Sequence, residues 1–184
     1  MRAQKLNPNF LNRSKFSRGV AYLCERLVPY SMPELYCTVI DVAKYKKIFP
    51  WVSESEITRI RGIVYNGDAF LSRQKIEFGI LGEYLYSIVE GKKPNSIIAY
   101  WPPKRILNAS ITIEKFSTPV KSHITSWNFI GNYKDGFTKV SCKLDFEFET
   151  VLFDKIAQYY IKDMTETAIN LLIDCIRKRE SSIA

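Results

Sequence analysis

A run of 27 residues near the C-terminus, Phe153 to Arg179, constrains this chain more than any other stretch. Apolar side chains recur in it at Ala157, Tyr160, Ile161, Met164, Ala168, Leu171, Leu172 and Cys175, in steps of three or four residues that gather on one broad helical face. Asp154, Lys155, Gln158, Lys162, Asp163, Glu166, Asn170, Asp174, Arg177 and Lys178 take the other face. No Pro or Gly interrupts the run, and basic residues crowd its last turn, where the helix dipole favours them. At a rise of ~1.5 Å per residue the helix would be about 40 Å long. The other segments read mostly as strands, so a helix of that length needs a large curved sheet to cover its apolar face.

The segment just before it supplies one strand of such a sheet. From Thr138 to Thr150, Val140, Cys142, Leu144, Phe146 and Phe148 alternate with Lys139, Lys143, Asp145, Glu147 and Glu149. Period two with one apolar and one charged side is the pattern of an antiparallel strand with one buried and one wet face. Further strands are expected at residues 18–28, 56–65, 70–80, 83–90, 96–101 and 121–130. The turn signals between them include Asn66-Gly67-Asp68 and the polar runs 91–95 and 132–136. On 70–80, Phe70, Ile76, Phe78 and Ile80 share a side with Ser72 and Gln74; on 121–130, Trp127 and Phe129 share one. Residues 104–121 give no clear period. Ser31 and Glu34 form an S-x-x-E capping box with Pro33 in the first turn, which predicts a helix to about Asp41. A second short helix, 43–48, stops before Phe49-Pro50-Trp51. Strands in succession followed by a helix argue an α+β fold, with a twisted antiparallel sheet curling around the long helix, not a βαβ design.

The chain has 184 residues, which is most simply one domain with a sizeable core. Its net charge of +8 is unevenly placed. Arg2, Lys5, Arg13, Lys15 and Arg18 precede the first acidic residue, Glu25, and the remainder carries 22 basic against 19 acidic residues. Residues 1–17 therefore suit a mitochondrial targeting segment or, equally, a solvated basic tail. No apolar run approaches the ~18–20 residues of a membrane-spanning helix. Cys24, Cys37, Cys142 and Cys175 lie far apart without C-x-x-C, so free thiols at core positions are expected. His123 is the only histidine, which makes a His-based metal site improbable.

Catalytic motifs are absent: there is no Gly-rich phosphate loop, G-x-S-x-G or H-E-x-x-H. His123 is expected as a partly exposed strand residue, and no spacing nominates a nucleophile for it. Glu147 and Glu149 fall on the wet face and read as solvation. Lys and Arg are scattered among acids, and no RNA-binding signature occurs, so no nucleic acid is expected as a partner. What remains is a surplus of large apolar residues on inner faces, which either fill a core or line a cavity for an apolar ligand. Periodicity does not separate the two.

Several of these residues form a resemblance. Glu25-Arg26-Leu27-Val28-Pro29-Tyr30-Ser31, then Glu34, Val42, Tyr45 and Phe49-Pro50-Trp51 through Ser55, resemble the opening of the coenzyme Q-binding START-domain family. Phe78, Leu81, Glu83, Ser87 and Val89 are similar to its next block, Trp127 to its tryptophan strand, and Phe146-Glu147-Phe148 with Leu152 to its Phe-x-Phe strand. The similarity runs over about residues 19–180. Val52 stands where the family usually has Cys, and Leu85-Tyr86 where it has Tyr-Thr. Residues 91–121 are longer than the family norm, which implies a remodelled cavity edge.

The resemblance implies a helix-grip (START-like) fold over residues 18–180: a curved antiparallel sheet around the long C-terminal helix, enclosing an apolar cavity. It implies a non-enzymatic protein on the matrix side of the mitochondrial inner membrane, peripheral to it. Such a protein binds ubiquinone (coenzyme Q), a polyprenyl quinone, and supports respiratory electron transport and coenzyme Q biosynthesis. Proteins of those two systems are then its expected partners, and no catalytic cofactor or metal is expected. Phe70, Phe78, Trp127, Phe129, Phe146, Phe148, Met164, Ala168 and Leu171 are the expected cavity lining, with Phe49, Pro50 and Trp51 at its mouth, meeting the bilayer. Relatives of the family include bacterial ribosome-association toxins and polyketide cyclases. A ribosome-associated protein and a cyclase or dehydratase are therefore the alternatives, the latter having only Ser72, Gln74 and His123 as polar candidates.

Overall fold

A computed structural model describes residues 19–58, 68–78, 81–101, 120–134 and 136–181. In it the long helix, α3 (Val151–Ser181), packs on a seven-stranded antiparallel sheet. The strands are β1 (Val20–Val28), β2 (Val52–Thr58), β3 (Asp68–Phe78), β4 (Leu81–Lys92), β5 (Ser96–Trp101), β6 (Val120–Lys134) and β7 (Phe137–Phe148). Their order across the sheet is β1-β7-β6-β5-β4-β3-β2, a meander whose first strand returns to pair with its last. Between β1 and β2 lie α1 (Met32–Ile40), a 3-10 turn (Val42–Lys44) and the single-turn helix α2 (Tyr45–Ile48). This is the curved sheet around a C-terminal helix that the residue pattern calls for.

Local chemistry explains the ends of these elements. The Glu34 carboxylate accepts from the Ser31 backbone N–H at 2.9 Å and the Ser31 hydroxyl at 2.5 Å, closing the start of α1. Burial on α3 falls on Ala157, Ile161, Thr165, Ala168, Ile169, Leu172 and Ile176. The face is thus rotated from the expected one: Tyr160 is 47% exposed, Cys175 is half-buried, and Ile169 and Ile176 are inside. Thr165 enters the buried face because its hydroxyl donates to the Ile161 carbonyl at 2.6 Å. The helix is tied to β1 by Tyr22 Oη donating to Glu166 at 2.7 Å and by Arg26 donating to Asn170.

Other boundaries shift as well. β4 extends through Gly91 to Lys92, and β6 continues past Asn132, whose φ of 50° marks an irregularity in its pairing with β7. The expected strand 56–65 begins earlier, at Val52; its remainder, the Asn66-Gly67 turn, Ile80, residues 102–119 and residues 1–18 lie outside the described residues. Of the cysteines, Cys24 and Cys142 are buried opposite each other on β1 and β7, whereas Cys37 is exposed and Cys175 half-buried, contrary to a core placement for all four. The charged side of β7 is drier than its alternation predicts. Asp145 is 8% exposed, which raises its pKa, and Lys143 is 3.8 Å away. No helix among the described residues is long and apolar enough to cross a membrane.

Candidate functional site

Between the concave face of the sheet and the N-terminal half of α3 lies a cavity of about 160 Å³. β7 presents Cys142, Leu144, Phe146 and Phe148 to it, the apolar set of its alternation. α3 closes it with Ala157, Ile161, the adjacent pair Met164 and Thr165, and Ala168, which follow one another by three or four residues along one helical stripe. β5 and β6 contribute Ile97, Ala99, Val120, Thr125 and Trp127; β3 and β4 contribute Gln74, Ile76, Glu83, Tyr84, Leu85, Ser87 and Val89. Val42, Tyr45, Phe49, Trp51 and Val52 complete the wall from the short helices and the segment after them.

Of the residues expected at the cavity, Phe49, Trp51, Trp127, Phe146, Phe148, Met164 and Ala168 surround it. Phe49 is buried, stacked on Trp51 (centroids 5.4 Å apart, planes at 16°) and edge-on to Tyr45 at 4.8 Å. Phe146 and Phe148 stack at 5.9 Å, and Phe148 continues onto Phe153 at 6.5 Å, so an aromatic ladder runs from β7 to the start of α3. The others sit elsewhere. Pro50 is exposed and off the wall. Phe129 is two residues beyond Trp127 on the same face, but α1 packs over that end of β6 and takes it into solid core at 3% exposure. Phe70 and Leu171 are half-buried against the same core, away from the wall. The side chain of Phe78 lies outside the described residues.

Tyr45, Leu85, Ala99, Leu144, Ala157, Ile161 and Ser87 line the cavity without having been singled out for it. Leu144 was readable, since it shares the β7 parity of Phe146. Ala99 and Ala157 were not, because small residues carry no signal beyond their period.

His123 departs furthest from expectation. Instead of partial exposure it is 1% exposed, with Nε2 2.9 Å from Ser87 Oγ and its ring stacked on Phe146 at 5.5 Å. Desolvation pushes its pKa down to about 3, so the ring is neutral. Its Nδ1 has no hydrogen-bond partner among the described residues. Adjacent in the same layer, Ser72 is fully buried and its hydroxyl reaches the Ser87 carbonyl at 3.5 Å. Burial likewise pushes the Cys142 thiol well up, leaving a neutral, apolar-behaving group on the wall. The site is a mostly apolar chamber with a few polar groups, Glu83 among them, and is built for enclosing an apolar molecule.

Comparison with known proteins agrees with this geometry. Residues 28–172 match the family model described as polyketide cyclase/dehydrase and lipid transport. The mitochondrial coenzyme Q-binding protein COQ10 of Drosophila melanogaster is 26% identical over 162 residues, covering 86% of this chain; the chain spans 59% of that relative's length. Among solved structures, TTHA0849 from Thermus thermophilus superposes with a TM-score of 0.67 at 15% identity, over 86% of this chain and 98% of that one. The Zhui aromatase/cyclase from Streptomyces sp. R1128 gives 0.66 at 13% identity, over 88% and 94%. The 18 kDa protein CC1736 from Caulobacter crescentus gives 0.62 at 19% identity, over 89% and 97%. At these identities the structures show a shared fold.

Proposed function

Because the chain belongs to the polyketide cyclase/dehydrase and lipid-transport family, we propose that it is a non-enzymatic carrier of a polyprenyl quinone, ubiquinone. On this reading it acts at the matrix side of the mitochondrial inner membrane, as a peripheral protein, and supports respiratory electron transport and coenzyme Q biosynthesis. The observation that carries the proposal is the apolar cavity of about 160 Å³ under α3; the similarity to a coenzyme Q-binding protein supports the choice of ligand. An apolar cavity of about 150 Å³ takes a benzene-sized molecule. The chamber therefore holds one ring, or a short stretch of isoprenoid, at a time. Each methylene buried stabilises binding by about 0.8 kcal/mol, so the tail needs apolar contact and little else. Phe49-Pro50-Trp51, with Pro50 exposed beside two wall aromatics, is the segment we place against the bilayer.

Binding is favoured over catalysis by the character of the polar groups. A general base works best with a pKa near the operating pH. His123, held to about 3 and stacked on Phe146, stays neutral at pH 7 and is a weak proton acceptor there. The test is organic extraction of the purified protein followed by mass spectrometry of the extract. Ubiquinone in near-stoichiometric amount is the expected result; a different lipid class, or none, overturns the quinone assignment.

A further inference from the structure

The polar groups on the cavity wall are not equivalent. Tyr45 Oη donates to the Val39 carbonyl at 2.6 Å, Thr165 Oγ1 to the Ile161 carbonyl at 2.6 Å, and Tyr84 Oη to the Glu54 carboxylate at 3.0 Å. Their protons are committed away from the cavity. Ser87 is different. It is 3% exposed, lies on the wall, and its Oγ meets only His123 Nε2, at 2.9 Å, among the described residues.

Which atom gives the proton follows from the other end of the imidazole. A neutral ring carries one N–H. If it sat on Nδ1, a donor would be buried with no acceptor among the described residues, at a cost of about 1–3 kcal/mol. With the proton on Nε2, His123 donates to Ser87 Oγ, and only a lone pair on Nδ1 goes unused. Carbonyl and imine-type acceptors tolerate that better than donors do. Ser72 does not compete, because its hydroxyl is directed to the Ser87 carbonyl. Ser87 Oγ has then accepted one hydrogen bond and still holds its own proton, on the wall of a mostly apolar chamber whose other polar side chains include Gln74, Glu83 and Thr125.

We propose that Ser87, oriented by His123, is the hydrogen-bond donor that anchors a ligand carbonyl oxygen in this cavity, fixing the head group of a quinone with its ring in the chamber. His123 is the positioning residue, and Phe146, stacked on it, is the aromatic wall beside which the head-group ring lies. This assignment rests on the quinone-carrier reading and adds to it the contact that distinguishes a quinone from a hydrocarbon of the same shape.

The test uses the full chain and two probes: a short-tailed ubiquinone carrying 13C at its ring carbonyls, and a matched compound with methyl groups in place of the ring oxygens. Infrared difference spectra of the wild-type complex should show one carbonyl band moved to lower frequency. Ser87→Ala should remove that shift and weaken quinone binding roughly fivefold to tenfold, the worth of one buried hydrogen bond, without altering binding of the methyl analogue. Ser87→Thr, which keeps the hydroxyl, should retain the shift. Quinone bound by wild type with no shifted band, or a shift that survives in Ser87→Ala, overturns the anchor and leaves the carrier reading standing. If wild type binds neither probe, both fall. A wild-type spectrum without a shifted band overturns the anchor even where Ser87→Ala folds poorly, and loss of the shift in the hydroxyl-keeping Ser87→Thr does the same.

Discussion

The two ends of the space between sheet and helix are made of the same kinds of residue and have come out differently. At one end Val28, Leu35, Val39, Phe129, Val140, Ile169, Leu172 and Ile176 form one buried cluster in which α1 sits between α3 and the strands β5 and β6. At the other, Val20, Ala157 and Ile161 make a smaller cluster, flanked by half-buried Tyr22, Leu144, Phe146 and Phe148, and the cavity opens beside it. The difference is α1. Where a second helix is laid into the curve of the sheet, apolar residues meet one another and the volume is filled. Where α3 and the short helices after α1 cover the curve instead, with Phe146 and Phe148 of β7 on the opposite wall, a chamber remains. A large apolar residue on the concave face is thus core or wall according to which helix lies over it, not according to its own chemistry.

The largest effect that would break this comparison is at Phe129, on the filled end. Phe129→Ala should cost about 3–5 kcal/mol, because the α1-packed cluster around it has little room to collapse. Phe148→Ala, at a half-buried wall position, should cost less than about 2 kcal/mol by the area it removes while lowering quinone content in the purified protein. Urea unfolding of both variants checks the pair. Equal losses would mean that the two ends are packed alike.

Acid is the next probe, since it acts on the hollow end through His123. Its folded-state pKa of about 3 lies below the ordinary histidine value of 6.5. Between those values the unfolded chain binds a proton that the native chain refuses, so stability is complete above about pH 6.5 and falls as pH drops toward 3. The slope is about 1.4 kcal/mol per pH unit. Glu34, held low by its hydrogen bonds from Ser31, and Glu147, held low by Lys121, lose their contributions at still lower pH, as carboxylates protonate. A His123→Gln variant followed by urea unfolding from pH 7 to 4.5 should lose the histidine slope, while the carboxylate losses below the ordinary value of 4.5 remain. An unchanged slope would show that His123 is not the buried titrating group.

How much of this was legible in residues follows the same division. The long helix, the alternation of β7, the capping box at Ser31 and the antiparallel α+β architecture are all written in period and local chemistry, and they appear in the structure with boundaries moved by a few residues. The wall of the cavity was half legible. Phe146, Phe148 and Trp127 declare an inner face by parity, Met164 and Ala168 by helical period, and the resemblance marked Phe49 and Trp51. Phe129 carries the same parity signal as Trp127, yet α1 covers it, and nothing in β6 says so. The burial of His123 was illegible for a similar reason. Its partner Ser87 lies on another strand, brought close by the pairing of β3, β4, β5 and β6 and not by spacing in the chain. The rotation of the α3 face came from Thr165, which reads as polar until its hydroxyl is spent on the helix backbone.

Gly91 sharpens the account of the filled end. It reads as part of a polar turn, but it lies within β4, opposite α1, and a Cβ added there would meet Tyr36 Oη at 1.9 Å and Ile40 Cδ1 at 3.3 Å. The absence of a side chain is what lets Tyr36 of α1 reach the sheet. Gly91→Ala should therefore cost about 1–3 kcal/mol, the range for forcing atoms into a packed region, and thermal unfolding should show the drop. A neutral result would mean that α1 can slide on the sheet, and the reason given for the filled end would fail.

The smallest expected change in stability is also the one that separates the two ends most cleanly. Ala168 stands on α3 at their junction, buried among core residues and yet on the cavity wall. In filled core, adding three carbons destabilises by forcing neighbours off their rotamers. Into a chamber, the same carbons find empty volume and bury fresh apolar surface, worth at most about 2 kcal/mol of added stability by methylene count. Ala168→Leu should thus leave the unfolding midpoint unchanged or raise it slightly, and it should deplete the lipid recovered by solvent extraction, because the side chain takes the space a ligand would occupy. A fall in stability with ligand content unaltered would place Ala168 in the filled end and move the boundary of the cavity toward Ile161.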